Sequence, residues 1–149
     1  MEFNIPRPLK LEHEELHAEL TGATRVSGMI GDCAKAVAKI LHPHFIKEEE
    51  YAMLPLGLLS LLADGKVTTE MRDVLTMTER LKSELPEMLR EHKAIVAALK
   101  PLVDASKKEK KMEYVHFADK LILHAQNEEE ILYPASILVG EYLKLKRIE

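Results

Sequence analysis

Apolar residues recur at helical spacing along most of the chain, and this pattern predicts an all-α protein. A first helix begins after Pro8, a residue that suits the first helical turn, and ends near Thr21 and Gly22. One face of this helix carries Leu9, His13, Leu16, His17 and Leu20. No segment shows the period-two alternation with β-branched residues that is typical of strands.

The same spacing predicts two longer helical regions in the middle of the chain. The second helix extends from about residue 26 to about residue 53, with an expected kink at Pro43. The segment LPLGLLSLLADGK then forms a short helical excursion. The third region extends from about residue 68 to about residue 105, and Pro86 either kinks one long helix or begins a new one.

The fourth helix is predicted from about residue 111 to about residue 133. Pro134 separates it from a short extra C-terminal helix, ASILVGEYLKLKR. Four main helices with connections of modest length favour an antiparallel, up-down-up-down four-helix bundle. We expect one domain that covers residues 1–149.

The composition excludes several other classes of protein. Apolar residues make up 46% of the chain and charged residues 31%, which is typical of a folded domain. The net charge of −4 provides no basic face for nucleic acid, and no apolar stretch is long enough to span a membrane. Cys33 is the single cysteine, and the segment MEFNIPRPLKLEHEE lacks the features of a signal peptide, so we expect a cytoplasmic protein.

A weak internal repeat carries the candidate chemistry. LEHEEL in the first helix matches REHKAI in the third, and HFIKEEE in the second helix matches HAQNEEE in the fourth. Residues four apart share a helix face, so His44 projects with Glu48, and His124 projects with Glu128. In an up-down bundle, His13 and His92 near helix starts fall at the same end as these pairs, at similar depth.

Four imidazoles and two carboxylates form a ligand set that suits iron, manganese or zinc. Six side chains suit two ions, with Glu48 and Glu128 bridging them. Four histidines on apolar faces without a metal would bury much uncompensated polarity. The remaining glutamates of the two acidic runs are interpreted as solvated, with one of them as a partner of a ligand; they are Glu49, Glu50, Glu129 and Glu130.

The series His, His-x-x-x-Glu, His, His-x-x-x-Glu resembles the hemerythrin-like HHE cation-binding family over nearly the whole chain. The resemblance implies a four-helix bundle with a non-haem di-iron centre, oxo- or hydroxo-bridged, in which manganese or zinc are alternatives. It implies binding of dioxygen or another small diatomic or peroxide ligand, in oxygen binding, sensing or stress response. It also implies Glu48 and Glu128 as bridges and, as terminal ligands, His13, His44, His92 and His124.

The chain departs from the oxygen-carrying hemerythrins at two positions. Val96 occupies the place of their second histidine in the third helix, and Glu128 replaces an Asp five residues after the last histidine. His17 is the leading substitute ligand, because it lies one turn after His13. Tyr51 is a further candidate, as a ligand or a hydrogen-bond partner, and its counterpart in the second copy is Ile131.

Two other functions remain open at this point. One is a di-iron enzyme that acts on peroxide, nitric oxide or ferrous iron, which the smaller histidine set and Tyr51 favour. The other is a metal-free helical module for protein interaction. His116 is expected near the ligands or at the surface, and His42, before Pro43, is expected to be exposed.

Overall fold

The computed structural model describes residues 3 to 147, so the first two and last two residues of the predicted domain lie outside it. Every regular element among these residues is helical, which confirms the all-α prediction, and four long helices are consistent with a four-helix bundle. The α-helices are α1 (Arg7–Thr24), α2 (Met29–Lys47), α3 (Leu59–Ala63), α4 (Arg72–Lys108), α5 (Met112–Asn127) and α6 (Tyr133–Leu145). Short 3₁₀ turns cover Leu54–Leu58 and Thr69–Met71.

Glycine and proline set the ends of the first two helices. Pro6 and Pro8 flank the start of α1, where the missing proline N–H groups cost no hydrogen bond. The second helix begins at Met29 rather than at residue 26, because Gly28 has a φ of 85°, which interrupts the helical path. Pro43 lies inside α2, as expected.

The third region is one continuous helix of 37 residues. Of the two alternatives at Pro86, the structure therefore has the single long helix, and Pro101 also lies within it. The excursion before it consists of the 3₁₀ turn and α3, which ends at Ala63.

The ends of the predicted second and fourth helices are not α-helical, because each ends in a π-helical turn. These turns cover Glu48–Ala52 and Glu128–Leu132. The Glu48 carbonyl accepts the N–H of Met53, and the Glu128 carbonyl accepts the N–H of Tyr133, each five residues later. The repeat in sequence is thus also a repeat in local structure, and π turns of this kind are frequent at functional sites.

The largest core cluster lies between α1, α2, α4 and α5. Apolar side chains of all four helices contribute to it, among them Leu16, Leu20, Val37, Leu41, Leu99, Phe117 and Leu121. Of two smaller clusters, one joins α4 to the Glu48–Ala52 turn and to Tyr133, and the other joins α4 to α6. Among the described residues, none of the helices combines the length and the apolar character needed to cross a membrane.

Candidate metal centre

The four histidines and two glutamates of the repeat come together in the interior of the bundle. Their ligand atoms form two overlapping sets in which all atoms lie within 4.8 Å of one another, and every residue is buried. Site A consists of His13, Glu48, His124 and Glu128. Site B consists of His44, Glu48, His92 and Glu128. Both carboxylates therefore belong to both sites, as the predicted bridging role requires.

The side chain of Glu128 spans the two sites. Its Oε1 lies 3.1 Å from Nε2 of His92 in site B, and its Oε2 lies 3.2 Å from Nε2 of His124 in site A. The Oε1 atom of Glu48 lies 3.3 Å from Nε2 of His44. Such separations are those of neighbouring ligands around an ion bonded at about 2.0–2.2 Å to each of them.

Site A is more open in its spacing than site B. Nε2 of His13 lies 3.7 Å from Oε1 of Glu48 and 3.8 Å from Oε2 of Glu128. The His13 ring is stacked on Phe45, with centroids 4.0 Å apart and planes inclined by 10°. A cleft of about 380 Å³ opens onto His124 from the surface.

Several ligand atoms are buried without a hydrogen-bond partner. They are Nε2 of His13 and His124, Oε1 of Glu48 and Oε2 of Glu128. A buried polar atom that lacks a partner costs about 1–3 kcal/mol, and all four of these atoms come from residues of site A. A metal ion in site A would satisfy them, and nitrogen and carboxylate donors without thiolates fit iron, manganese or zinc.

His44 and His92 face each other in site B, with their Nε2 atoms 3.0 Å apart. Nδ1 of His44 donates to Glu91, which leaves its Nε2 as an acceptor, whereas Nδ1 of His92 has no hydrogen-bond partner. In the metal-free protein, Nε2–H of His92 can therefore donate to Nε2 of His44. A bound metal ion would replace this proton between the two rings.

The two inner carboxyl groups have opposite pKa shifts. Burial and the neighbouring Glu128 raise the pKa of Glu48 well above its ordinary value. Burial also acts on Glu128, but the neighbouring Glu48 and the histidine nitrogens that face its carboxylate outweigh it and hold the pKa of Glu128 well below its ordinary value. Without metal, the pair thus retains a proton on Glu48, because adjacent buried carboxylates repel. Metal binding would displace this proton.

Each ligand histidine also has a carboxylate on its outer side. Nδ1 of His44 lies 2.7 Å from Oε1 of Glu91, and Nδ1 of His124 contacts Oε1 of Glu12. Longer contacts of 3.5 Å join Nδ1 of His13 to Glu49, and Nδ1 of His92 to Glu129. We refer to these four partners as the outer glutamates: Glu12, Glu49, Glu91 and Glu129. Carboxylates in this position fix the tautomer and the orientation of metal-binding histidines.

The outer glutamates form a closed ring around the bundle. Glu12 on α1 contacts the histidine of α5, and Glu129 after α5 contacts the histidine of α4. Glu91 on α4 contacts the histidine of α2, and Glu49 after α2 contacts the histidine of α1. Each of them directly precedes a ligand histidine or directly follows Glu48 or Glu128, the two inner glutamates. The sequence predicted one partner of a ligand in the acidic runs, whereas the structure has two, Glu49 and Glu129.

Tyr133 is the site residue that the sequence prediction missed. Its hydroxyl donates a hydrogen bond of 2.7 Å to Oε2 of Glu48 and lies 3.2 Å from Nε2 of His92. On an α-helix, residue 133 would point about 140° away from Glu128. The π turn places residues five apart above one another and so brings Tyr133 to the site. In the first copy, this position is Met53.

Among the described residues, the Tyr51 hydroxyl has no hydrogen bond to the six ligand residues. Its buried hydroxyl donates to Glu84 and lies 3.7 Å from the sulfur of Met88. Arg80 covers the ring, with its guanidinium carbon 4.2 Å from the centroid. At the site, the two copies of the repeat therefore differ in Tyr133 of the second copy, which the first copy replaces by Met53. The sequence instead pointed to the difference between Tyr51 and Ile131.

His17 is likewise not brought to the cluster. It is exposed, and its ring centroid lies 5.6 Å from that of His42. Four residues after His13, it is about 40° farther around α1, which turns it out of the interior. The structure therefore leaves His17 outside the ligand cluster. His42 and His116 are exposed, in line with the predictions for them.

Comparison of the chain with protein-family models, with curated proteins and with solved structures finds no match. What the molecule itself establishes is a helical protein with a buried His and Glu cluster that could hold metal.

Proposed function

We propose that this chain is a hemerythrin-like, non-haem di-iron protein that binds dioxygen or a related small ligand. The observation that carries the proposal is the overlap of sites A and B, which share both inner glutamates. The resemblance of the histidine and glutamate series to the HHE family supports it. So does the contact between His13, near the start of α1, and Glu48, just after α2, since antiparallel helices bring such ends together.

Two iron ions, when bound, would supply the electrons that dioxygen accepts. The residues of the chain would perform the remaining tasks. Glu128 has one carboxylate oxygen facing each site, so it would supply one donor atom to an ion in site A and the other to an ion in site B. Glu91 and Glu12 accept hydrogen bonds from Nδ1–H of His44 and His124, which directs Nε2 of both rings inward.

The surroundings of the two sites differ, and this difference would locate the small ligand. The Tyr133 hydroxyl oxygen lies 3.2 to 3.4 Å from Nε2 of His92 and His44, and its proton is donated to Glu48, so site B has a phenol that could turn its O–H to a bound ligand. Burial raises the pKa of Tyr133, which keeps this proton in place. The Phe45 ring and the apolar core cover the other side and exclude water.

Metal analysis joined to a visible spectrum tests the proposal. We expect two iron ions per chain and charge-transfer bands that change on addition of azide, peroxide or dithionite. His44→Ala should lower the metal content, whereas His116→Ala, at an exposed position, should not. Colourless protein loaded with zinc would refute the oxygen chemistry. Less than one metal per chain, unchanged by His44→Ala, would instead support the metal-free interaction module.

A second candidate is an enzyme that uses the same ions to reduce peroxide or nitric oxide or to oxidise ferrous iron. The observation in its favour is the Tyr133 hydroxyl inside site B, because a positioned phenol can donate a proton during turnover. Turnover assays with each substrate separate the two functions. Rates no higher than those of free iron would exclude the enzyme.

A further inference from the structure

Two histidines outside the cluster lie together at the surface. His17 on α1 and His42 on α2 are both exposed, with ring centroids 5.6 Å apart and planes inclined by 39°. Both line one cleft of about 150 Å³, which also contacts Phe45. Within the described part of the chain, neither imidazole has a hydrogen bond or an ion pair with another residue. Both rings are therefore available to a ligand.

The separation of the two rings is set by the packing of their helices. Leu16 and Leu20 on either side of His17 are buried in the core, and so are Leu41 and His44 on either side of His42. The backbones are thus held in place while the side chains remain at the surface. Because the backbones are fixed, binding orders only the two side chains and costs less conformational entropy than it would on two mobile segments.

We propose that His17 and His42 together bind one divalent transition-metal ion, separate from sites A and B. A nitrogen of histidine bonds such an ion at about 2.0–2.1 Å, which puts each ring centroid about 3.2 Å from it. Two rings on one ion are then about 5.2 Å apart at a tetrahedral angle and about 5.5 Å apart at 120°. The observed 5.6 Å is within about 0.1 Å of the second value, so a small side-chain adjustment brings both rings to one ion.

The donors define the class of ion. Two neutral imidazoles without a carboxylate in the cleft suit copper, nickel and zinc, and not calcium or magnesium. Copper(II) binds most tightly in the general order of divalent ions. Water would complete the coordination, so this site is weaker than a buried site with four protein ligands.

The surface site does not depend on the proposed function. Phe45 lies between the cleft and the His13 ring, so an ion at the surface is separated from site A by an aromatic side chain. Failure of sites A and B to bind iron would leave His17 and His42 in place.

Titration with copper(II) tests the proposal on protein whose inner sites were first offered iron. The variants are His17→Ala, His42→Ala, both together, and His116→Ala as a matched exposed control. Wild type and the control should each bind one more copper ion per chain than either single variant. The extra ion should show an electron paramagnetic resonance spectrum with coupling to two nitrogen nuclei.

The double variant distinguishes a shared site from two separate ones. If both rings hold one ion, the double variant loses the same single equivalent as either single variant. Loss of two equivalents would overturn the proposal, as would copper binding by both single variants equal to that of wild type. Exposed positions rarely affect folding, and circular dichroism verifies that each variant is folded.

Discussion

Removal of the Glu91 carboxylate tests whether an outer glutamate prepares its histidine for metal. Oε1 of Glu91 accepts the hydrogen bond from Nδ1 of His44, and Oε2 lies 2.6 Å from Nζ of Lys47. Burial is the largest influence on the pKa of His44 and leaves it below its ordinary value, so the ring is neutral. A neutral ring that donates from Nδ1 has Nε2 free for the metal.

The expected magnitude follows from this geometry. A hydrogen bond to a charged group contributes about 1.5–3 kcal/mol. Burial raises the pKa of Glu91, but Lys47 and His44 outweigh it and hold the pKa below its ordinary value, so the group is a carboxylate. Loss of such a partner lowers metal affinity about 10- to 100-fold, equivalent to about 1.4–2.8 kcal/mol. The two ranges agree, and Glu91→Ala should therefore weaken metal binding by this amount.

Two measurements report on this change. Competition with a chelator measures metal affinity, and nitrogen-15 shifts of the His44 ring measure the tautomer in the metal-free protein. Glu91→Gln should fall between wild type and Glu91→Ala, because its amide oxygen still accepts from Nδ1 but lacks charge. Glu130→Ala is the control, since Glu130 is exposed. Equal affinity and an unchanged tautomer in Glu91→Ala and the control would refute the role of the outer glutamates.

Three further changes have defined outcomes. Tyr133→Phe removes the donor to Glu48 and should lower the unfolding free energy of metal-free protein by about 1–3 kcal/mol in chemical denaturation; no change would contradict the hydrogen bond. Because the pKa of Glu48 is raised in the folded protein, metal-free protein should lose stability as pH rises from the ordinary glutamate pKa towards the raised value, by up to about 1.4 kcal/mol per pH unit. Glu48→Gln should remove this dependence of the unfolding free energy on pH, as measured by denaturation at several pH values. A pH dependence that persists in the variant would assign it to another group. Gly31→Ala places a Cβ 1.9 Å from the carbonyl oxygen of Val26 and should lower the melting temperature. Gly22→Ala, whose Cβ has nothing within 4 Å, should instead raise the free energy of unfolding by about 0.5–1 kcal/mol. Equal changes in melting temperature for the two variants would be inconsistent with the backbone clash.

Helical periodicity predicted the residues of the inner cluster because its signal is local. His44 and Glu48 share a face on any α-helix, whatever lies opposite. The repeat of the same spacing at His124 and Glu128 then predicted a second pair at similar depth. The long helices followed from the same period, although Gly28 moves the start of α2 to Met29.

The outer glutamates and Tyr133 could not be assigned in the same way. Glu91 supports His44 on another helix, and periodicity within one helix does not determine which neighbour a side chain meets. The π turn also changes the angular position of the residues beyond it, so an α-helical period does not bring Tyr133 to the site. The acidic runs offered one usable signal, because an outer glutamate directly follows each inner one.

The sequence by itself determined the all-α class, the two copies of the hairpin and the six residues that meet in the interior. These depend on the spacing of residues along one helix, which the α-helical geometry makes nearly constant. Only the tertiary structure decided that His13 pairs with His124 and His44 with His92, that both glutamates are shared, and that His17 lies beside His42 at the surface. Those relations depend on how helices pack against one another, and packing is set by contacts between residues far apart in the chain.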